Sequence, residues 1–223
     1  MNKIIWMCWF QGEDDLLMPK LNKICIKKWI DLNQDWKVNV LTSDTIHNYV
    51  PEYFEIDNQA PSNHHWFRKS ELLRLILLSK FGGVWVDASV LPIQPLTCFY
   101  DDIVNEADFF SYRFLPRHKN KFGATRETVT WFLIAKNPGN YLIERWKQFY
   151  INYYLNNTEW DYYYQMHVLL CQLYDSDKKI RNTIDSMVQI DAKIPLSASK
   201  VPFGGSWKKR KPSYLYKRPN IKI

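Results

Sequence analysis

Hydrophobic positions along the chain change period several times, and the changes mark out successive elements. Lys3 to Phe10 is a short, nearly continuous apolar run closed by Gln11-Gly12, which predicts a buried strand and a turn at its carboxyl end. Behind Pro19, a favourable helix start, Leu21, Ile24, Cys25 and Trp29 recur at helical spacing and predict a helix over 19–31. Trp36 to Leu41 alternates in part and predicts a second strand, with Thr42-Ser43-Asp44 as a turn or cap. Strand, helix and strand in this order predict a parallel pair joined by a crossover helix, and so an α/β fold. The stretch 51–66, with Pro51, Pro61 and Asn63-His64-His65-Trp66, reads as loop-rich.

The centre of the pattern is Ser70 to Val90. Leu72, Leu73, Ile76, Leu77 and Phe81 predict an amphipathic helix with Glu71 and Arg74 three positions apart on one polar, water-facing edge. Gly82-Gly83 stops the helix, and Val84-Trp85-Val86 predicts a strand covered on both faces. Asp87 then falls at the carboxyl end of that strand, the edge where open α/β sheets bind ligands. Beyond it Pro92 and Pro95 mark an extended exit. Phe109 to Tyr112 and Thr130 to Ala135 read as two further strands around a basic loop, Arg117 to Arg126. An apolar stripe of Leu142, Ile143, Trp146, Phe149, Tyr150 and Tyr153 predicts a helix over 140–155, and Tyr162 to Tyr174 predicts another.

Length changes the picture only by allowing one domain, residues 1–223, with a basic C-terminal tail at 208–223. The charge is unevenly placed: every acid lies at or before Asp191, while 192–223 carries nine Lys or Arg, so the net +7 belongs to the tail. Lys208 to Lys211 and Lys217-Arg218 suit an anionic membrane face or a substrate diphosphate, and equally a solvated tail. A nucleic-acid module is disfavoured because the basic excess is not interleaved with aromatics on one face. Ten Trp, fourteen Tyr and twelve Phe exceed what a minimal core needs, and such a surplus suits sugar or nucleobase sites. Cys8, Cys25, Cys98 and Cys171 lie far apart, giving neither a zinc site nor a disulfide framework, in keeping with a reducing cytoplasm. The first apolar run is too short to span a membrane. His64, His65 and His167 lack a third ligand at metal spacing, and no G-x-S-x-G elbow is present to suggest a hydrolase.

Three segments, I-I-W-M-C-W-F-Q-G from Ile4, S-E-L-L-R…F-G-G-V-W-V-D-A-S from Ser70 and G-G-S-W from Gly204, resemble in this order the capsular polysaccharide synthesis proteins and related sugar-nucleotide glycosyltransferases, including the glucosylating clostridial toxins. The resemblance implies a GT-A fold: a Rossmann-like nucleotide-binding core with a mixed sheet and additional C-terminal helices. It implies transfer of a sugar, with retention, from a nucleotide-sugar that is commonly UDP-linked to a capsular, O-antigen or lipid-linked oligosaccharide acceptor. Trp9 then matches the aromatic stacked on the base, with Gln11 beside it. Glu71 and Arg74, following Ser70, match the acid and arginine that hold donor-sugar hydroxyls. Asp87 matches the first acid of the D-x-D motif, which helps hold Mn²⁺ or Mg²⁺, and Ser206-Trp207 matches a pair that grips the β-phosphate.

Two departures follow from the same comparison. Glu71 stands where aspartate is frequent, and D-A-S puts Ser89 where the second D-x-D acid belongs, leaving a weaker metal ligand. Trp9 also has a plain reading as a core residue, with Trp6 taken as pointing the same way. Asp161 reads either as a helix cap or as an acceptor-binding acid, and Tyr162 to Tyr164 as packing or acceptor platform. The alternative function is a catalytically inert polysaccharide-binding protein or a basic nucleic-acid-binding module.

Overall fold

The structure is a computed structural model, and it describes residues 3–12, 16, 18–61, 64–104, 107–114, 118–119, 125–126, 128–157, 163–193 and 215–217. Strands are β1 (Ile4–Cys8), β2 (Lys37–Leu41), β3 (Gly83–Val86), β4 (Val90–Pro92), β5 (Phe109–Ser111), β6 (His118–Lys119), β7 (Thr125–Arg126), β8 (Phe132–Ala135) and β9 (Leu215–Lys217). Helices are α1 (Lys20–Leu32), α2 (Glu52–Gln59), α3 (Trp66–Phe81), α4 (Tyr100–Ile103), α5 (Tyr141–Asn156), α6 (Gln165–Ser176) and α7 (Lys178–Ser186).

The main sheet has the order β2-β1-β3-β8-β5. β1 pairs parallel with β2 and with β3, while β8 runs antiparallel between β3 and β5, so the sheet is mixed. Alternation along the strands sorts side chains into two apolar layers. Trp6, Trp85, Leu133, Ala135 and Phe109 pack with α3, α5 and α6. Ile5, Met7, Val84, Val86, Phe132 and Ile134 pack on the other face with Ile26 and Trp29 of α1 and Tyr100 and Ile103 of α4.

The connection from β1 to β2 therefore covers one face, and the connection from β2 to β3 returns over the other. The order in which strands are added therefore switches sides between the parallel neighbours β1 and β3, and such a switch point leaves a crevice at the strands' carboxyl ends.

At the junction of α3 and β3 two glycines meet backbone on both sides. A Cβ on Gly82 would lie 2.9 Å from the carbonyl carbon of Asn137, and one on Gly83 would lie 2.6 Å from the carbonyl oxygen of Ile4. Both residues have positive φ, 65° and 90°. Only glycine lets the helix turn this tightly into a strand lying against β1.

Three expectations fail. Residues 52–59 form α2, because Pro51 suits a helix start and Tyr53 drops into the core; the prolines had pointed to loop. α7 was not expected, although Asp177 caps it by accepting from the backbone N–H of Lys179 and Ile180, and Ile180 and Ile184 bury one side. Trp6 and Trp9 lie on opposite faces, Trp6 in the α3/α5 layer and Trp9 against the α1 layer, since three positions is an odd spacing on a strand. Among the described residues no helix is long and apolar enough to cross a membrane, and none of the four cysteines forms a disulfide.

Candidate active site

The crevice between β1 and β3 is framed by the N-terminal half of α3. That helix leads directly into β3 and runs antiparallel to it, so its N-terminal turns project past the carboxyl ends of the strands.

Asp87 follows β3 and opens a tight turn in which the Val90 backbone N–H donates to the Asp87 carbonyl at 2.9 Å. Its own backbone N–H donates to the Trp131 carbonyl at 2.9 Å, extending the β3–β8 ladder by one step. The side chain is held twice. Trp85, two positions back on the same face of the strand, donates its indole N–H to Asp87 Oδ1 at 2.9 Å, and Arg74 Nη2 stands 3.5 Å from the same oxygen. The carboxylate keeps 24% of its side-chain surface exposed, against 6% for Arg74.

Arg74 is locked in turn. Its Nε donates to the Ser70 carbonyl at 3.2 Å, Nη2 to Ser70 Oγ at 3.1 Å, and Nη1 to the carbonyl of Thr130. The guanidinium also sits 5.1 Å from the Trp85 ring centre, within cation–π range. Cys8, at the end of β1, lies close enough to feel this charge, although dense packing drives its thiol pKa well up.

The water-facing edge expected for Glu71 and Arg74 is not there. Both are buried, at 5% exposure each. They diverge, Arg74 toward Asp87 and Glu71 toward α5, where the Tyr150 hydroxyl donates to Glu71 Oε2 at 2.8 Å. Burial is the main cause that pushes the Glu71 pKa up to about 7, with the Asp87 charge adding to it and Arg74, Tyr150 and Arg68 opposing. Packing on both sides explains the outcome: residues 68 and 71–79 are buried where α3 meets the sheet and α5, so this helix has no polar stripe to solvent at that point.

Ser70, Glu71, Arg74 and Asp87 are thus gathered at one edge, with Ser89 half-buried in the turn that Asp87 opens. Trp9 is half-buried just past β1, and its carbonyl accepts from Gly12 at 3.1 Å across an exposed Gln11. Asp161, Ser206 and Trp207 lie outside the described residues. Four contributors were not picked out in the sequence: Trp85, Tyr150, Arg68 and the carbonyl of Thr130. Trp85 was within reach, because period two places it on the same face as Asp87.

Among the described residues no three His, Cys, Asp or Glu side chains come together to cage a metal. Asp87 and Ser89 offer one carboxylate and one hydroxyl. That set is too small for a cation held by protein alone, and it fits Mg²⁺ or Mn²⁺ whose coordination is completed by phosphate oxygens and water.

A sequence model of the family described as capsular polysaccharide synthesis protein matches residues 1–202. The chain belongs to that family. Among solved structures, this family member is similar to the PaToxG glycosyltransferase, at 15% identity and TM-score 0.52 over 81% of this chain and 73% of that one. It is also similar to the galactosyltransferase LgtC solved with donor and acceptor sugar analogues, at 12% identity and TM-score 0.50 over 96% and 86%. No curated protein sequence matches it significantly. The shared architecture is the GT-A glycosyltransferase fold, with the same mixed α/β layout that the family member's strand order displays. Family and fold together place the chain among the glycosyltransferases.

Proposed function

We propose that the protein moves a sugar, with retention of anomeric configuration, from a UDP-sugar to a glycan acceptor in capsular or O-antigen polysaccharide synthesis. The observation that carries this reading is the Ser70–Arg74–Asp87–Trp85 cluster, a partly exposed carboxylate clamped at the switch point of a GT-A sheet. Breaking a sugar–phosphate bond builds positive charge on the sugar and negative charge on the leaving diphosphate, and groups fixed beforehand stabilise those charges without reorganising.

In this reading Asp87 faces the donor sugar and ribose. Arg74 orients it, since the guanidinium's N–H groups are already committed to Ser70, Thr130 and Asp87. Glu71, held toward α5 by the Tyr150 hydroxyl, backs the site from behind and steadies the charge of Arg74. Trp9 and Gln11 flank the base from the β1 side, and Ser206-Trp207 meets the β-phosphate. Asp87 and Ser89 would hold Mn²⁺ or Mg²⁺, which when bound would supply positive charge for the leaving diphosphate. We further read residues 1–223 as one catalytic domain acting in the cytoplasm, with the basic stretch 208–218 resting on anionic lipid beside a lipid-linked acceptor.

The test is direct. UDP-glucose, UDP-galactose and their N-acetyl forms are incubated with the enzyme with and without Mn²⁺, and UDP release and the anomer of the freed or transferred sugar are followed by NMR. Release of UDP with an initially retained anomer supports the reading. An inverted anomer overturns retention, and no turnover or nucleotide binding with any donor favours the polysaccharide-binding alternative, for which the missing second acid at Ser89 is the motive.

A further inference from the structure

Aromatic side chains crowd the surface where α3 and α6 begin. Trp66 and Tyr163 are 53% and 47% exposed, unusual for such large rings. The Phe67 ring lies 4.9 Å from Tyr163 and stacks at 5.9 Å on His65, while Trp66 lies 5.2 Å from Phe10, just past β1. A polar group borders the rings at the surface: Lys69, paired with Asp57 at 2.7 Å, is 5.6 Å from the ring centre of Trp66, while the buried Arg68 backs Phe67 from below at 4.7 Å.

The placement ties this band to the candidate active site. Trp66, Ser70 and Arg74 are spaced by four and share one stripe of α3, as Phe67 and Glu71 share the next. At helical rise Trp66 stands about 12 Å beyond Arg74 along the axis. Because α3 runs antiparallel to β3, that direction leads outward from the Asp87 edge.

Rings with wet rims suit sugars, whose C–H faces lie on aromatic surface while their hydroxyls reach neighbouring polar groups. We infer that Trp66, Phe67 and Tyr163 form the seat of the acceptor, stacking on saccharide units adjoining the one that receives the new sugar. This rests on the glycosyltransferase reading for its meaning, and its test does not.

Binding of maltotriose, cellotriose, chitotriose and lactose is measured by saturation-transfer NMR and titration, without donor, on wild type, W66A/Y163A and the conservative W66F. Hydrolysis of UDP-sugars, which needs no acceptor, is measured in parallel, and thermal unfolding checks that each variant is folded. The expected result is binding of at least one saccharide, weakened about 10-fold or more in W66A/Y163A by the loss of two stacking contacts and kept in W66F, with donor hydrolysis within about two-fold of wild type. Absence of saccharide binding in wild type, equal binding in the double variant, or a matching loss of donor hydrolysis overturns the inference. Saccharide binding without donor hydrolysis in wild type keeps the seat and sinks the transferase reading alone.

Discussion

Asp87 and Glu71 are two acids on one site held in opposite ways. Asp87 is partly exposed and carries an indole N–H and a guanidinium on one oxygen. Replacing it by Asn keeps the shape and removes the charge, so UDP release is expected to fall on the order of 100-fold, as when a preorganised electrostatic group is deleted. The melting temperature of D87N, read by thermal shift, should move by only a few degrees. Glu71 is buried and its pKa is raised from 4.5 to about 7. The folded state therefore binds this proton more tightly than the unfolded chain, and the stability it confers is full below pH 4.5 and lost as pH rises through 7. Over that window the loss approaches about 3 kcal/mol. E71Q lacks this dependence, so its stability relative to wild type, from denaturant unfolding, should climb between pH 4.5 and 8; a flat difference would show that Glu71 is not buried as described. Y150F removes the hydroxyl that donates to Glu71 and should cost about 1–3 kcal/mol, while moving the pH midpoint upward. That Asp87 follows β3 at the sheet edge was legible because Gly82-Gly83, a short apolar run and an acid follow the helix in sequence, and Arg74 reaches it there. The carbonyl of Thr130 was not, since a backbone acceptor leaves no mark on residue type, and Tyr150 was hidden within a stripe that reads as plain packing.

At the scale of elements, α3 and β3 are the hinge of the arrangement. The Gly83→Ala change sets a Cβ against the Ile4 carbonyl at 2.6 Å and strains a φ of 90°. Left-handed strain alone costs about 1–2 kcal/mol, and the clash forces β1 and β3 apart, so a fall in melting temperature of at least about 5 °C is expected for a chain of this size. UDP-sugar binding, followed by the same thermal shift, should weaken with it, because the crevice lies between those two strands. Strands and long helices were readable wherever the apolar period was sustained, as in α1, β2, β3 and α5. α2 and α7 were missed because short helices carry few periodic positions, and prolines or charges dominate their composition. Burial of the Glu71–Arg74 edge could not be read from α3 itself, since it depends on α5 arriving more than sixty residues later to cover it.

For the whole molecule, the mixed sheet matters more than its strand count. β8 enters the site end-on from the direction opposite to β3, so the chain just before it, Thr128 to Trp131, is drawn to Asp87 and Arg74 by main-chain atoms. The other end of the same excursion is fastened next to it: the Val129 N–H donates to the Tyr112 carbonyl at 2.9 Å, and Ser111 Oγ donates to the Val129 carbonyl at 2.7 Å. The segment between Tyr112 and Val129 is thus sewn shut at its neck. Lengthening a loop whose ends are already joined costs little, about 0.6 kcal/mol per doubling, and six Gly/Ser residues inserted between 121 and 122 should leave the melting temperature within about 3 °C and donor hydrolysis intact. Stitching of this kind uncouples the length of the excursion from the grip on the carboxylate, so a change of length beyond the neck leaves Asp87 and Arg74 where they are.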